Sequence, residues 1–282
     1  MDPADSRSFR HKLIKILTKT SHISAPFITT FLLIHLSAPV MANVGGSSLS
    51  SQVMLLGREY YQTALGEPYL VLGPLAVHAL SGIVRRALII YPKLKKSLSS
   101  PAEKTGHSIS PLSNFFRRLP AALPSSTLQL TAYSVLLLLP IHFGIHRLAP
   151  TESSPPVLSL GPSELDYSFV QYGLQNWPIR TWTMYTVLVG ATILHAVEGA
   201  RVLVGSSTPT PSSLESQSAE KPWNDPKTPM SPRLRRKVLA AALALPVLSG
   251  LYFLYTEPLY IFTGMAKRLA GVYRSSWIYC SH

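Results

Sequence analysis

Ile34-His35-Leu36-Ser37-Ala38-Pro39 and Ile145-His146-Arg147-Leu148-Ala149-Pro150 are two copies of one pattern, an apolar run that ends in His-x-x-Ala-Pro. Each copy is followed, after a polar connection, by a second shared pattern. In the first half this is His78-Ala79-Leu80-Ser81-Gly82 with Arg85 beyond it. In the second half it is His195-Ala196-Val197-Glu198-Gly199 with Arg201 beyond it. Self-similarity spread over two apolar segments reads as a duplicated helical hairpin. The repeated histidines lie in apolar runs, where an ionisable side chain is costly unless it faces the bundle interior and has a partner or a task.

The rest of the composition agrees with a membrane bundle. Apolar residues make up 46% of the 282, charged residues 14%, and the mean hydropathy is +0.20. A hydrocarbon core of roughly 30 Å takes about 20 helical residues, and five stretches qualify: residues 22–42, 69–90, 126–148, 181–204 and 238–262. Pro26, Pro39, Pro74, Pro140 and Pro246 fall inside or at the ends of these stretches, where membrane bundles tolerate them. Tyr60, Tyr61, Tyr69, Tyr91, Trp177, Trp182, Tyr255 and Tyr260 cluster at segment ends, as interfacial aromatics do. The predicted fold is an all-α membrane protein with five transmembrane helices, two homologous hairpins and a closing C-terminal helix. Its parts are a basic tail (1–21), a first hairpin (22–90), a basic loop (91–125), a second hairpin (126–204), a Ser/Pro-rich loop expected to be disordered (205–236), a fifth helix (237–263) and a C-terminal tail (264–282).

A net charge of +13 raises the question of nucleic acid, and the distribution of the charge answers it. Five basic residues precede the first span, eight lie from Arg85 to Arg118 and seven from Arg201 to Lys237, against six on the opposite side. Such alternation follows topology, with the N-terminus cytosolic and the C-terminus across the membrane. Attraction to anionic headgroups accounts for the basic loops, and no zinc spacing or aromatic RNA-binding motif accompanies them. Cys280 is alone, which excludes an intramolecular disulfide framework. The basic N-terminal stretch, its apolar run and Val40-Met41-Ala42 resemble a signal peptide in part. The mid-chain copy of the same segment favours a retained helix.

Depth sorts the histidines into two layers. His35 falls level with His142 or His146 toward the far side, and His78 with His195 toward the cytosolic side. Paired imidazoles from different helices, with Gly82 and Gly199 making room and arginines near the interface, are what a b-type haem needs. His35, His146, His78 and His195 are therefore candidate haem ligands, and hydrogen bonds between helices are the alternative task. The arrangement resembles the membrane-anchor cytochrome b of succinate dehydrogenases. No Gly-x-Ser-x-Gly elbow is present, and His142 with His146 supplies only two imidazoles toward a metal. No catalytic residue and no metal ligand set is assigned.

The stretches LLIHLSAP, LGREYYQTAL, LAVHALSGIVRR and GIHRLAP resemble the fungal mitochondrial outer-membrane adapter family of Mdm-ten-complementing protein one, over residues 22–262. The resemblance implies a non-enzymatic outer-membrane protein that supports lipid homeostasis. It would do so by recruiting a bridge-like lipid-transfer protein, of the vacuolar protein sorting thirteen type, to organelle contact sites. It also implies a recruiting Pro-x-Pro in the cytosolic N-terminal tail, but here that tail has only Pro3. The sequence Thr208-Pro209-Thr210-Pro211 supplies a Pro-x-Pro in a loop assigned to the same side, and Pro209 and Pro211 are the candidate docking residues.

Overall fold

The computed structural model describes residues 3–99, 126–207 and 230–280. These residues are helical almost throughout, with no strand among them, and five of their helices are long and apolar enough to cross a membrane. The protein is an all-α, multi-pass membrane protein. In chain order the elements are α1 (Pro3–Tyr61), a wide π-helical turn (Gly66–Leu72) leading into α2 (Gly73–Ser99), α3 (Thr127–Phe143) running on through a second π-helical turn (Gly144–Leu148), α4 (Tyr167–Asn176), α5 (Pro178–Ser207), α6 (Pro232–Thr256) and α7 (Thr263–Arg274). They cluster into two compact units, residues 1–34 with 58–126 and residues 35–57 with 127–282.

The first unit is a hairpin of the N-terminal part of α1 with α2. Among the described residues its buried groups are few: Ser24, Tyr61, Gly66 and Ser81. Phe31 meets Tyr61 edge to face at 5.1 Å, and Thr63 Oγ1 accepts from the Gly66 amide at 2.8 Å where the chain turns into α2. Val77, Leu80, Ile83 and Val84 of α2 stay exposed, as side chains facing hydrocarbon do.

The second unit is better packed. Val189 and Ile193 of α5 interlock with Ala240, Ala244 and Val247 of α6. Small residues let the backbones approach: a Cβ added at Gly250 would collide with the Pro39 carbonyl oxygen. Next to this contact Asn43 Nδ2 donates to Pro246 O at 2.8 Å and Asn43 Oδ1 accepts from Ser249 Oγ at 2.7 Å, so one carboxamide ties α1 to α6. α6 starts at Ser231, whose hydroxyl accepts from the Leu234 amide, with Pro232 at the first helical position.

Besides α1 starting at Pro3 and α2 ending at Ser99, inside the stretches expected as tail and loop, two regions differ from the sequence expectation. Beyond the predicted span 22–42 a polar connection was expected, yet α1 runs on to Tyr61 with a single break at Gly45-Gly46. Gly46 has φ +59°, and the helix restarts at Ser47, whose amide donates to both Glu257 carboxylate oxygens at 3.2 and 3.0 Å. A carboxylate on the exposed amides of a helix start satisfies them and meets the positive end of the helix dipole. Gln171 Nε2 holds the same carboxylate at 3.3 Å. The second difference is residues 264–282, expected as a tail. They contain α7, in which Leu269, Val272 and Tyr273 are fully buried, followed by the buried Tyr279. With α4, whose Asp166 cap accepts from the Ser168 amide at 2.8 Å, they build an aromatic cap: Tyr273 stacks on Phe169 at 4.6 Å and meets Tyr279 at 4.9 Å.

Candidate functional site

The repeated histidines of the second hairpin helices are both tied to the first helix of their own hairpin. In the first unit His78 Nδ1 lies 3.1 Å from Ser21 O, 3.2 Å from Ser21 Oγ and 3.3 Å from Ser24 Oγ. In the second, His195 Nδ1 lies 3.3 Å from Leu128 O and 3.4 Å from Thr131 Oγ1. A carbonyl can only accept, so both contacts make Nδ1 the protonated nitrogen and leave the lone pair on Nε2. The hydroxyl three residues after that carbonyl is buried in both hairpins, at Ser24 and Thr131. An imidazole bonded across a helix pair at membrane depth satisfies a polar group that hydrocarbon would leave stranded.

The other histidines meet in the second unit. His35 and His142 rings lie 6.0 Å apart at 78°, and His142 and His146 lie 4.4 Å apart at 37°. Tyr185, buried on α5, places its hydroxyl 3.0 Å from His146 Nε2, and Phe169 meets the His146 ring edge-on at 5.1 Å. His142 Nδ1 is buried and makes no hydrogen bond among the described residues. The sequence placed His35 against His142 or His146, and the structure sets His142 beside both. Among the described residues no three His, Cys, Asp or Glu side chains converge as a metal-ligand group.

As haem ligands the four candidates do not fit equally. His146 has Nε2 engaged by Tyr185 and its ring packed against His142, which takes the nitrogen and crowds the ring that an iron porphyrin would need. His78 and His195 fit better: Nδ1 on a carbonyl is the support a ligating imidazole needs, and a Cβ at Gly82 or Gly199 would meet nothing within 4 Å. They belong to different units. Sequence reasoning missed Ser21, Ser24, Thr131 and Tyr185. A Ser or Thr 11 residues before His35 and before His142 was the available signal for the hydroxyls, and a tyrosine in an apolar run for Tyr185.

On the cytosolic side of the expected topology, Glu198 of the second His-Ala-x-x-Gly motif accepts from Arg236 Nε at 3.0 Å, joining α5 to α6. On the other side Arg268 of α7 grips Glu164 at 2.6 Å and donates to Val157 O at 2.8 Å. The Gly161 amide and the Arg268 guanidinium hold the Glu164 carboxyl below the usual carboxylate range, while burial and the neighbouring Tyr279 hold the Tyr273 hydroxyl protonated well above the usual phenol range. Pro209 and Pro211, the candidate docking residues, lie outside the described residues, as do residues 100–125 of the expected basic loop. No protein-family profile, no curated protein and no solved structure matches the chain.

Proposed function

We propose that the protein is a non-enzymatic adapter of the mitochondrial outer membrane, which supports lipid homeostasis by recruiting a bridge-like lipid-transfer protein of the vacuolar protein sorting thirteen type to organelle contacts. The observation that carries the reading is the duplicated hairpin with its matched histidine anchors. The stretches that resemble the adapter family fall on those hairpins, and the anchoring bonds give His78 and His195 a packing task that needs no chemistry. The reading puts the N-terminus, residues 91–125 and residues 205–236 in the cytosol, because most of the basic residues lie there. Docking falls to the peptide around Pro209 and Pro211, whose fixed backbone suits a partner groove or sheet edge.

Changing Pro209 and Pro211 together to Ala is expected to abolish recruitment of the lipid-transfer protein while expression and targeting persist. Grafting residues 204–214 onto an unrelated outer-membrane anchor should restore it. Normal recruitment by the double variant would remove this docking site. Protease added to intact mitochondria should cut near Pro209 and spare a C-terminal tag, and the reverse pattern would invert the orientation.

A second reading, b-type haem with His78 or His195 as a ligand, is favoured by the open space over Gly82 and Gly199. When bound, haem would supply one-electron chemistry. The chain's own part would be to hold each imidazole by its Nδ1 proton. A reduced-minus-oxidised spectrum of the purified protein decides it: a Soret band lost in both His78→Ala and His195→Ala supports this reading, and a flat spectrum ends it.

A further inference from the structure

A groove runs along the first unit between α1 and the start of α2. Two laterally open depressions, of about 220 and 250 Å³, meet at Phe27. One extends toward Phe31 and Leu70, the other toward Thr20 and Val77. From Thr20 to Phe31 the lining covers ~16 Å of helix, close to the hydrocarbon depth of one leaflet, about 15 Å.

Apart from the Tyr60 hydroxyl at the far end, the lining offers little to a polar occupant. Thr20 Oγ1 donates to Ile16 O, Ser24 Oγ to Ser21 O, and Thr30 Oγ1 to Pro26 O, so its hydroxyl protons are spent on α1's own carbonyls. Ile23, Phe27 and Val77 are 60%, 46% and 42% exposed and form the apolar walls.

The two ends of the groove differ in charge. Lys19 directly precedes Thr20. On α2, Arg85 stands about three full turns beyond Pro74 and so shares the groove face. The bonds from His78 to Ser21 and Ser24 fix the two helices side by side, which brings Arg85 level with the Lys15 to Lys19 turn. Lys19 and Arg85 are both exposed. Among the described residues of this unit the carboxylates are Asp5, about four turns of α1 beyond Thr20, and Glu59 and Glu67, at the opposite end of the groove. One end is purely cationic, the other mixes Arg58 with Glu59 and Glu67, and the wall between them is apolar.

We infer that this groove binds an anionic phospholipid, one acyl chain lying against Phe27 and Val77 and the headgroup phosphate held between Lys19 and Arg85. Basic residues beside a helix pair at the membrane surface are what anionic headgroups select. The inference needs only the membrane placement of the hairpin and is independent of the adapter reading.

The test uses the full-length protein in phosphatidylcholine vesicles doped with a phosphatidylserine that carries a diazirine on one acyl chain. A parallel set carries the same diazirine on phosphatidylcholine. After irradiation, peptide mapping should find α1 labelled around Phe27 roughly tenfold more by the serine lipid than by the choline lipid. The double variant Lys19→Gln with Arg85→Gln should lower serine-lipid labelling to the choline level. Val77→Trp, which fills the groove, should remove labelling at Phe27 by either lipid. Labelling of Tyr252 and Phe253, exposed on α6, reports that each variant is folded and inserted. Equal labelling of Phe27 by the two lipids overturns the proposal. So does an unchanged ratio in the double variant, or Phe27 labelling that survives Val77→Trp while α6 is labelled normally.

Discussion

The two hairpins carry the same anchor and differ in what closes over it. Ser21 and Ser24 hold His78 in the first, Leu128 and Thr131 hold His195 in the second, and the spacing within each pair is the same. Counted from these anchors, His35 corresponds to His142, because 14 residues separate Ser21 from His35 and Leu128 from His142. The His-x-x-Ala-Pro pattern instead equates His35 with His146, four residues later. That is about one helical turn, so the second repeat presents two imidazoles on the face where the first presents one. The surroundings diverge further: 6% of the most apolar stretch of α2 is buried, against 33% of that of α6. Duplication supplied the anchor, while the tight core came from α6 and α7, which belong to neither repeat.

The sharpest way to break this contrast is through glycines. At Gly250 a methyl group would collide with the Pro39 carbonyl, a backbone atom that cannot yield. Gly250→Ala is expected to destabilise the second unit by about 3 kcal/mol or more. At Gly82 and Gly199, where a Cβ meets nothing, the same change removes backbone entropy from the unfolded chain and should stabilise by about 0.5–1 kcal/mol. Thermal unfolding in one detergent compares all three. A tolerated Gly250→Ala would mean that α1 and α6 pack less closely than described.

Next in size come the anchors. His78→Ala and His195→Ala should each cost about 1–2 kcal/mol, with Ser24→Ala and Thr131→Val costing less, since hydrogen bonds between membrane helices average under about 1 kcal/mol. Equal losses in the two hairpins would sharpen the equivalence. A large loss in one and none in the other would show that the repeat is preserved in sequence but not in energetics. Glu257→Gln should follow, at about 1 kcal/mol, because it keeps the shape of the cap on Ser47 while removing the charge that faces the helix dipole.

The five spans were legible because twenty apolar residues in a row have few other uses. The repeat was legible because histidine is rare in such company. The anchors were half legible: the histidines stood out, but Ser21, Ser24 and Thr131 are ordinary residues near a helix end until an imidazole is placed beside them. The cap was missed. Leu269, Val272 and Tyr273 have the i, i+3, i+4 spacing of a buried face, yet they stand among Lys267, Arg268 and Arg274 in a short polar stretch, and only Phe169, Trp177 and Tyr279 around them show that the face is covered. Glu257 was missed for a related reason. Its role depends on a break at Gly45-Gly46, more than two hundred residues away in the chain, that no local pattern announces.

The smallest expected effect concerns the cap alone. The Gly161 amide and Arg268 hold the Glu164 carboxyl below the ordinary carboxylate range, so the folded protein binds this proton more weakly than the unfolded chain. The contribution is therefore complete above the ordinary carboxylate pKa and is lost as pH falls through the depressed folded value. Glu152, whose carboxyl the Ser154 amide lowers in the same direction, titrates alongside it, so the acid sensitivity of the wild type is not assignable to one residue. The difference between wild type and Glu164→Gln isolates the clasp: the variant should melt slightly earlier near neutral pH and lose less on acidification, followed by the fluorescence of Trp177, which packs on Tyr273 and Tyr279. The gap should stay small, because Arg268 keeps its bonds to the Val157 and Leu158 carbonyls, which do not titrate. Identical acid profiles would place the hold on Arg268 in those carbonyls alone and make the cap, like the repeats, independent of charge.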